Sequence, residues 1–598
     1  MLKKHLPFSI DPAHISLAFV GLMWVLPFLY YYHAYPLTTF YQEWGAGMLG
    51  LCAMPLLLTS RYWQMPEVPR LVLLPISLML LVMIQFFAGL VMHFDHMMLL
   101  VLYFLFAALL LMLGHRLRAE LGLPAVVTVL AIFLLVGAEL NTLAGILQHY
   151  RWNTFLNPVI TVKTSHAVYG NSAQPNHYAN YLVLGLISLG MLYMRLSLRA
   201  WQVMLLAAPM LFVMVLSGSR SSWLYLLFAA GLALLWQRRD RALRPLFYYC
   251  LALVLGFGLM HLAVQIPWLE GSTGSVTTTE RLFGDNAGSG HIRVHLWREA
   301  ALIFAQFPLL GAGFGQFAFQ HLQLAAELRN PAITGLYDNA HNMVMQLAAE
   351  GGLAGVAIFL GTLGLWLWQA VTRGAQFTLY HWWGYAMLAV LGIHSLLEYP
   401  LWYAYFIGVA AIVLGMFDNT TYRLELRNVG RVSVAAMLLL GVLSLVQVFQ
   451  GYKRLENALA LRGMAAKDHN YVQRTRDELL AVHRYTLLSS YAELFIANMM
   501  ETNADHLKEK VELNERALHF IPIAPLAYHQ AWLLALSGRP DEARAQLENA
   551  IWAYPAEYAT ARIELDELAR KDPARFSALL ESAIQIYEEY RSAAVPAK

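Results

Sequence analysis

His341 and Asn342 close a polar stretch that begins near Pro267 and ends against a membrane-length apolar run. An imidazole titrates near neutrality, so a histidine at a helix start is suited to taking a proton from a hydroxyl. The same stretch carries Arg281, Arg293, Arg298 and Asp338. Arg220 stands in Ser217-Gly-Ser-Arg-Ser-Ser222, a very short turn between two apolar runs. A guanidinium there grips phosphate oxygens in pairs, with serine hydroxyls and glycine backbone as further donors. The plainer alternative is an arginine snorkelling to the membrane interface. Two more polar clusters lie at span ends, Asn171-Ser-Ala-Gln174-Pro-Asn176-His177 and His394-Ser-Leu-Leu-Glu398-Tyr399-Pro400-Leu-Trp402-Tyr403. Such groups also serve only to satisfy backbone or to join an aromatic belt, and a lone interfacial histidine is more often structural than catalytic. Their convergence on one membrane face favours a shared site.

These residues must be positioned by a very apolar chain. Of its 598 residues 59% are hydrophobic and 13% charged, and the mean hydropathy of +0.49 is far above a soluble average. The chain reads as a polytopic membrane protein. A net charge of +3, scattered between hydrophobic runs, argues against nucleic acid as a partner. Cys52 and Cys250, the only cysteines, lie inside apolar runs, so neither a disulfide framework nor a thiolate metal site is expected. The histidines lack HExxH spacing, so no metal is expected.

The segment Arg293-Val-His-Leu-Trp297-Arg298 reads as an amphipathic helix along the membrane surface. Arg293 and Arg298 are five positions apart and do not share a stripe. The glycines of Phe307-Pro-Leu-Leu-Gly-Ala-Gly-Phe-Gly315 fit neither a Walker loop nor a dinucleotide fingerprint, so no nucleotide site is assigned.

A helix needs about 20 apolar residues to cross a bilayer. Thirteen candidate spans follow, centred on 15–34, 44–60, 71–92, 97–114, 124–147, 177–194, 200–217, 221–237, 245–265, 342–368, 380–397, 401–417 and 432–450. The first lacks a small-residue cleavage site and is read as a retained span. With a cytoplasmic N-terminus, inside loops collect most Lys and Arg, from Lys3, Lys4 and Arg61 through Arg238, Arg239 and Arg373 to Arg431; this is a strong positive-inside bias. The large loop of about 267–341 then faces outward. So does everything after about Gly451, where charged residues at helical spacing mark a soluble helical domain over 451–598. Glu515, Ala517 and Pro522 recur 33 residues later as Glu548, Ala550 and Pro555, near the period of tetratricopeptide helix pairs. The predicted fold is all-α: a membrane helix bundle over 1–450 with a tetratricopeptide-like tail, read either as a plain cap or as a partner-docking surface.

Taken in order, SGSRSS, R-x3-W-x2-A before PLLGAGFGQF, and AHNMVMQLAAEGGLAG resemble the O-antigen ligase and polymerase superfamily of bacterial inner-membrane glycosyltransferases. QPNHYANYL and HSLLEYPLWYAYF resemble more closely its PglL-type protein O-oligosaccharyltransferases. The likeness runs in spaced motifs from about Gln174 to Phe406. It implies en bloc transfer of a preassembled glycan from undecaprenyl diphosphate to Ser or Thr hydroxyls of exported proteins such as pilins, in the periplasm and without a cofactor. The family's functional positions fall on Gln174, Arg220, Arg293, His341 and Tyr399, with Asn176, His177, Asn342 and Glu398 beside them. Ala340 and Pro175-Asn176 depart from some relatives, which bears on specificity. In this reading Arg220, with Arg293, stabilises the leaving diphosphate, while His341 deprotonates or orients the acceptor hydroxyl. Gln174 and Tyr399 position donor or acceptor. The partners are a lipid-linked oligosaccharide, an exported protein docked by the tail, and membrane lipids. The alternatives are an O-antigen ligase with a lipid A core acceptor, a transporter of a lipid-linked or anionic solute, and a scaffold whose tail recruits partners.

The charge bias makes a direct prediction. Alkaline phosphatase fused after Gly451 is expected to be active, and the same reporter fused after Arg239 inactive; the reverse pattern overturns the orientation.

Overall fold

The computed structural model describes residues 11–60, 62–64, 66–266, 269, 289–372, 376–463 and 470–594. Of the polar stretch, 267, 268 and 270–288, including Arg281, lie outside the described residues, as do Lys3, Lys4, Arg61 and Arg373. Each run predicted to span contains a helix. Eight helices among the described residues are long and apolar enough to cross a membrane: Pro12–Leu29, Arg70–Phe87, Phe94–Leu121, Leu123–Tyr150, Pro175–Leu196, Arg241–Ala263, Met343–Thr372 and Arg427–Leu461. The chain is a multi-pass membrane protein. The other five expected spans fall short of that standard for local reasons. Phe40–Ala53 gives way to a 3-10 turn at Pro55, Ser221–Arg239 ends in two arginines, and Ala200–Leu216, Leu379–Ser395 and Ala404–Phe417 are shorter. Among the described residues the all-α architecture has one exception: Glu67–Pro69 pairs antiparallel with Thr421–Arg423, placing Glu67 opposite Arg423.

The chain folds as two compact units that do not follow chain order. The first comprises Met1–Ile76, Tyr103–Gly288 and Leu360–Leu445. Its core is organised by Pro175–Leu196, which is buried along most of its length. Aromatic side chains there carry polar tips that find partners on neighbouring helices, as buried Tyr and Trp require. The Tyr181 hydroxyl donates to Trp24 O at 2.8 Å, Trp383 Nε1 to Ser188 Oγ at 3.1 Å, and the Tyr249 hydroxyl to Leu186 O at 2.6 Å.

The second unit comprises Ser77–Leu102, Ser289–Phe359 and Val446–Lys598. Its centre is a backbone clasp between the two glycine-containing motifs. Ala312 N donates to Ala349 O at 2.9 Å, Gly313 N to Glu350 O at 3.1 Å, Leu353 N to Pro308 O at 2.9 Å and Ala354 N to Leu309 O at 3.1 Å. Gly352, at φ 60° and ψ −159°, breaks the helix Met343–Thr372 and frees these groups. Gln85 closes the clasp: its Nε2 donates to Leu310 O at 2.6 Å and Glu350 O at 2.7 Å, and its Oε1 accepts from Phe314 N at 3.1 Å. Glu350 Oε1 accepts from Phe317 N at 3.1 Å, capping the helix Phe317–Leu328. The glycines found in the sequence are therefore a packing device.

In the tail, Leu507–Phe520 packs on Ala524–Leu536 and that helix on Pro540–Ala553, while Pro573–Ala594 packs against both Pro540–Ala553 and Tyr558–Lys571. The two repeated octapeptides occupy matching places: Ala517 and Ala550 are fully buried, and Pro522 and Pro555 follow the ends of their helices. The tail also packs on Phe317–Leu328. His519 stacks on Phe319 with centroids 3.6 Å apart, and burial, with the charge of His93, pushes its imidazole down to about 4.

A Cβ on Gly352 would lie 2.5 Å from Gly311 N, and one on Gly311 2.3 Å from the Glu350 carbonyl carbon. Both positions also have positive φ. Gly352→Ala and Gly311→Ala are each expected to cost more than about 1 kcal/mol, seen as a lower midpoint of thermal unfolding in detergent. Gly361→Ala, which meets nothing within 4 Å, is expected to be near neutral.

Candidate functional site

Gln174, Pro175 and Asn176 open the helix Pro175–Leu196 in a way the sequence dictates. Pro175 takes the first helical position, where a missing N–H costs nothing. Gln174 is the N-cap, its Oε1 accepting from His177 N at 2.5 Å. The cap engages only the carbonyl end of the amide. Gln174 Nε2 makes no hydrogen bond with a described residue and remains a donor on a half-buried side chain.

One turn inward, the ring of His177 is enclosed. It lies 5.3 Å from His394, 6.4 Å from Tyr399, 5.0 Å from Tyr403 and 5.1 Å from Phe406, centroid to centroid. Asn176 Nδ2 donates to Glu398 Oε1 at 2.7 Å, joining the start of this helix to the turn after Leu379–Ser395. The Glu398 side chain is buried, so Asn176 and Glu398 hold each other. Tyr399 precedes the proline turn Pro400–Trp402, with its ring 5.8 Å from Tyr403. Arg220 occupies the N-cap position of Ser221–Arg239. Its turn is held by Ser217 Oγ on Met214 O at 2.7 Å and by the pair Ser219 Oγ and Ser221 Oγ at 2.9 Å. Five residues on, the Tyr225 hydroxyl meets His394 Nδ1 at 2.8 Å. Sequence reasoning left Tyr225 and Asn180 out. Asn180, one turn beyond Asn176, is fully buried with neither amide atom hydrogen-bonded to a described residue. An asparagine at i+4 from another on a buried helix was the available signal.

Arg293, His341 and Asn342 belong to the second unit; Gln174, Asn176, His177, Arg220, Glu398 and Tyr399 belong to the first. Asn342 caps Met343–Thr372, its Oδ1 accepting from Val344 N at 3.0 Å and Met345 N at 3.2 Å. His341 precedes it with φ 49°, a left-handed conformation that costs a non-glycine residue about 1–3 kcal/mol. Neighbouring bonds hold it there. Asn339 Oδ1 accepts from His341 N at 3.0 Å, Gln346 Oε1 from Ala340 N at 2.7 Å, and Trp297 Nε1 donates to Ala340 O at 3.0 Å. Trp297 lies one turn from Arg293 on Ser289–Gln306, so both share the face that meets this loop.

The beginning of the same loop is held by a buried pair absent from the sequence reading. His321 Nδ1 lies 2.8 Å from Glu299 Oε2, with both side chains 3% exposed, and His321 Nε2 lies 3.2 Å from Gly335 O. Both ring nitrogens face oxygens, so the ring bridges Glu299 to the Gly335 carbonyl. Tyr337 packs 5.5 Å away, and burial, reinforced by the Glu299 carboxylate, pushes its phenol up. Glu299 and His321 are 22 residues apart and carry no motif, so only packing reveals them.

Residues 203–360 match the family described as O-Antigen ligase, which takes in Arg220, Arg293, His341 and Asn342. Residues 382–566 match the family described as Virulence factor membrane-bound polymerase, C-terminal, which takes in Glu398 and Tyr399. A general O-oligosaccharyltransferase of Acinetobacter baylyi is 26% identical over 451 residues, 73% of this chain and 75% of that protein. A ComP-specific O-oligosaccharyltransferase of the same organism is 21% identical over 252 residues, 42% of this chain and 43% of that protein.

Removing one partner of a buried pair leaves the other uncompensated. Glu299→Gln and His321→Leu are each expected to cost about 1–3 kcal/mol in detergent unfolding. Replacing both by leucine is expected to recover much of that loss; an additive double variant overturns the coupling.

Proposed function

We propose, for a membrane glycosyltransferase that belongs to the O-antigen ligase superfamily, that the chain transfers a preassembled glycan from undecaprenyl diphosphate to Ser or Thr hydroxyls of exported proteins such as pilins. The observation that carries this reading is His341. It is a histidine in a strained conformation, braced by Asn339, Gln346 and Trp297, inside the O-antigen ligase match. The names of the two oligosaccharyltransferase relatives support protein as acceptor.

In the reaction, the bond from the anomeric carbon of the first sugar to the diphosphate oxygen breaks, and a bond from that carbon to the acceptor oxygen forms. His341 takes the hydroxyl proton, worth about 10²–10⁴ in rate. Arg220, with Arg293, stabilises the negative charge that gathers on the departing undecaprenyl diphosphate. Gln174, through its Nε2 donor, and Tyr399 orient the bound groups. Asn176, His177 and Glu398 hold the start of Pro175–Leu196 in place, and Asn342 holds that of Met343–Thr372. The diphosphate is its own leaving group, so the step needs no cofactor. The enzyme acts in the bacterial inner membrane from the periplasmic side, where the helical tail docks the acceptor protein.

The test is transfer by purified protein from a lipid-linked oligosaccharide to a pilin acceptor and, separately, to lipid A core. Transfer to the pilin is expected, reduced about 10²–10⁴-fold in His341→Ala and about 10²–10³-fold in Arg220→Ala. Full activity of the His341 variant removes its catalytic role. Glycosylation of lipid A core alone replaces the protein acceptor by a lipid one, the choice the O-antigen ligase match favours.

A further inference from the structure

Arg298 has no part in the transfer chemistry above, and neither does the cavity it lines. This cavity, of about 250 Å³, is bounded by His295, Arg298, Arg329, Asn330 and the apolar Pro331 and Ile333. It is smaller than the roughly 300–1,000 Å³ of pockets that swallow whole drug-sized ligands, so it suits a single small ring. No carboxylate lines it.

The polar groups are set by bonds outside the cavity. Asn330 Oδ1 accepts from Ala332 N at 3.0 Å, which turns its Nδ2 toward His295 Nδ1 at 3.0 Å. An amide nitrogen can only donate, so His295 accepts at Nδ1 and its Nε2 is the ring nitrogen that this bond leaves as a donor. Arg329 is matched by Glu548 at 2.6 Å and Glu589 at 3.2 Å, so it shapes the wall without adding net charge. Arg298 makes no hydrogen bond or ion pair with a described residue and is the uncompensated positive charge of the cavity. The site thus offers one guanidinium, one neutral N–H donor and an apolar wall.

Its place relative to the reacting loop follows from helix geometry. Successive residues turn by about 100°. Arg293 and Trp297 therefore face one side of Ser289–Gln306, while His295 and Arg298 lie about 150° round from them. About 10–12 Å, the width of a helix, separates the Ala340 contact from the cavity.

We infer that this cavity binds a carboxylate-bearing sugar of the glycan, beyond the sugar whose anomeric carbon reacts. Its carboxylate lies on Arg298 and His295 Nε2, and its ring face on Pro331 and Ile333. The inference rests on the glycan-transfer reading and deepens it by naming a class of donor: glycans with an acidic residue away from the reducing end.

Two measurements test it on the full-length protein in neutral detergent. In equilibrium binding, methyl glucuronide is expected to bind at least about tenfold more tightly than methyl glucoside, and Arg298→Gln to weaken the glucuronide by roughly 10–100-fold. In transfer assays, Arg298→Gln is expected to raise KM by a similar factor for a donor with an internal uronic acid, and to leave a neutral donor unchanged. Equal binding of the two glycosides, unchanged binding by the variant, or an equal effect on both donors overturns the site. Displacement of the glucuronide by inorganic phosphate or by phosphatidylglycerol nanodiscs at lower concentration than by the sugar itself overturns the sugar assignment in favour of phosphate. Wild-type protein that binds the glucuronide but transfers no donor overturns the glycosyltransfer reading and with it the placement along a glycan.

Discussion

Backbone N–H and C=O groups in a non-helical segment between apolar helices must be paired within the protein, because lipid offers no partners. In the second unit this constraint is met by the clasp of 308–313 on 349–354, closed by the amide of Gln85. Four backbone bonds and three side-chain bonds replace the helical ladder that Gly352 interrupts. The break lets Glu350 turn its carboxylate onto the start of Phe317–Leu328, the helix on which the tail rests. Without the clasp, the loop to His341 would have no fixed base.

The elements above it are held by few, deeply placed polar contacts. Glu299 and His321 pin the loop at Gly335, and Trp297 and Gln346 pin it at Ala340. Asp95 accepts from both the backbone and the hydroxyl of Ser490, at 2.8 and 2.7 Å. Arg329 binds Glu548 and Glu589. Surface pairs of this kind contribute little individually. The buried ones matter because breaking any of them would leave a buried polar group unpaired. Rigid support of this kind lets a strained histidine keep its conformation.

Much of the candidate site was legible because caps are local. Asn342 and Gln174 each satisfy an N–H within three residues of themselves, and Pro175 marks a helix start by itself. The apolar runs were equally legible, since each contains a helix. The number of crossings was not: runs such as 44–60 read as one span but change to a 3-10 turn at Pro55. The glycines of 311–315 and 351–352 were visible as a pattern without a partner, because a close backbone approach is a property of two segments.

The sequence by itself determined the membrane class, the helices and their starts, all of which depend on composition and on neighbours within a turn or two. Only the tertiary structure decided which side chains have partners far along the chain. It set Asn176 against Glu398, 222 residues away, and Gln85 against Glu350, 265 residues away. It also distributed the candidate residues between two units and opened a cavity beside Arg298. The physical reason is that local periodicity says which face of a helix is apolar, whereas the surface that face meets is selected by the packing of the whole chain.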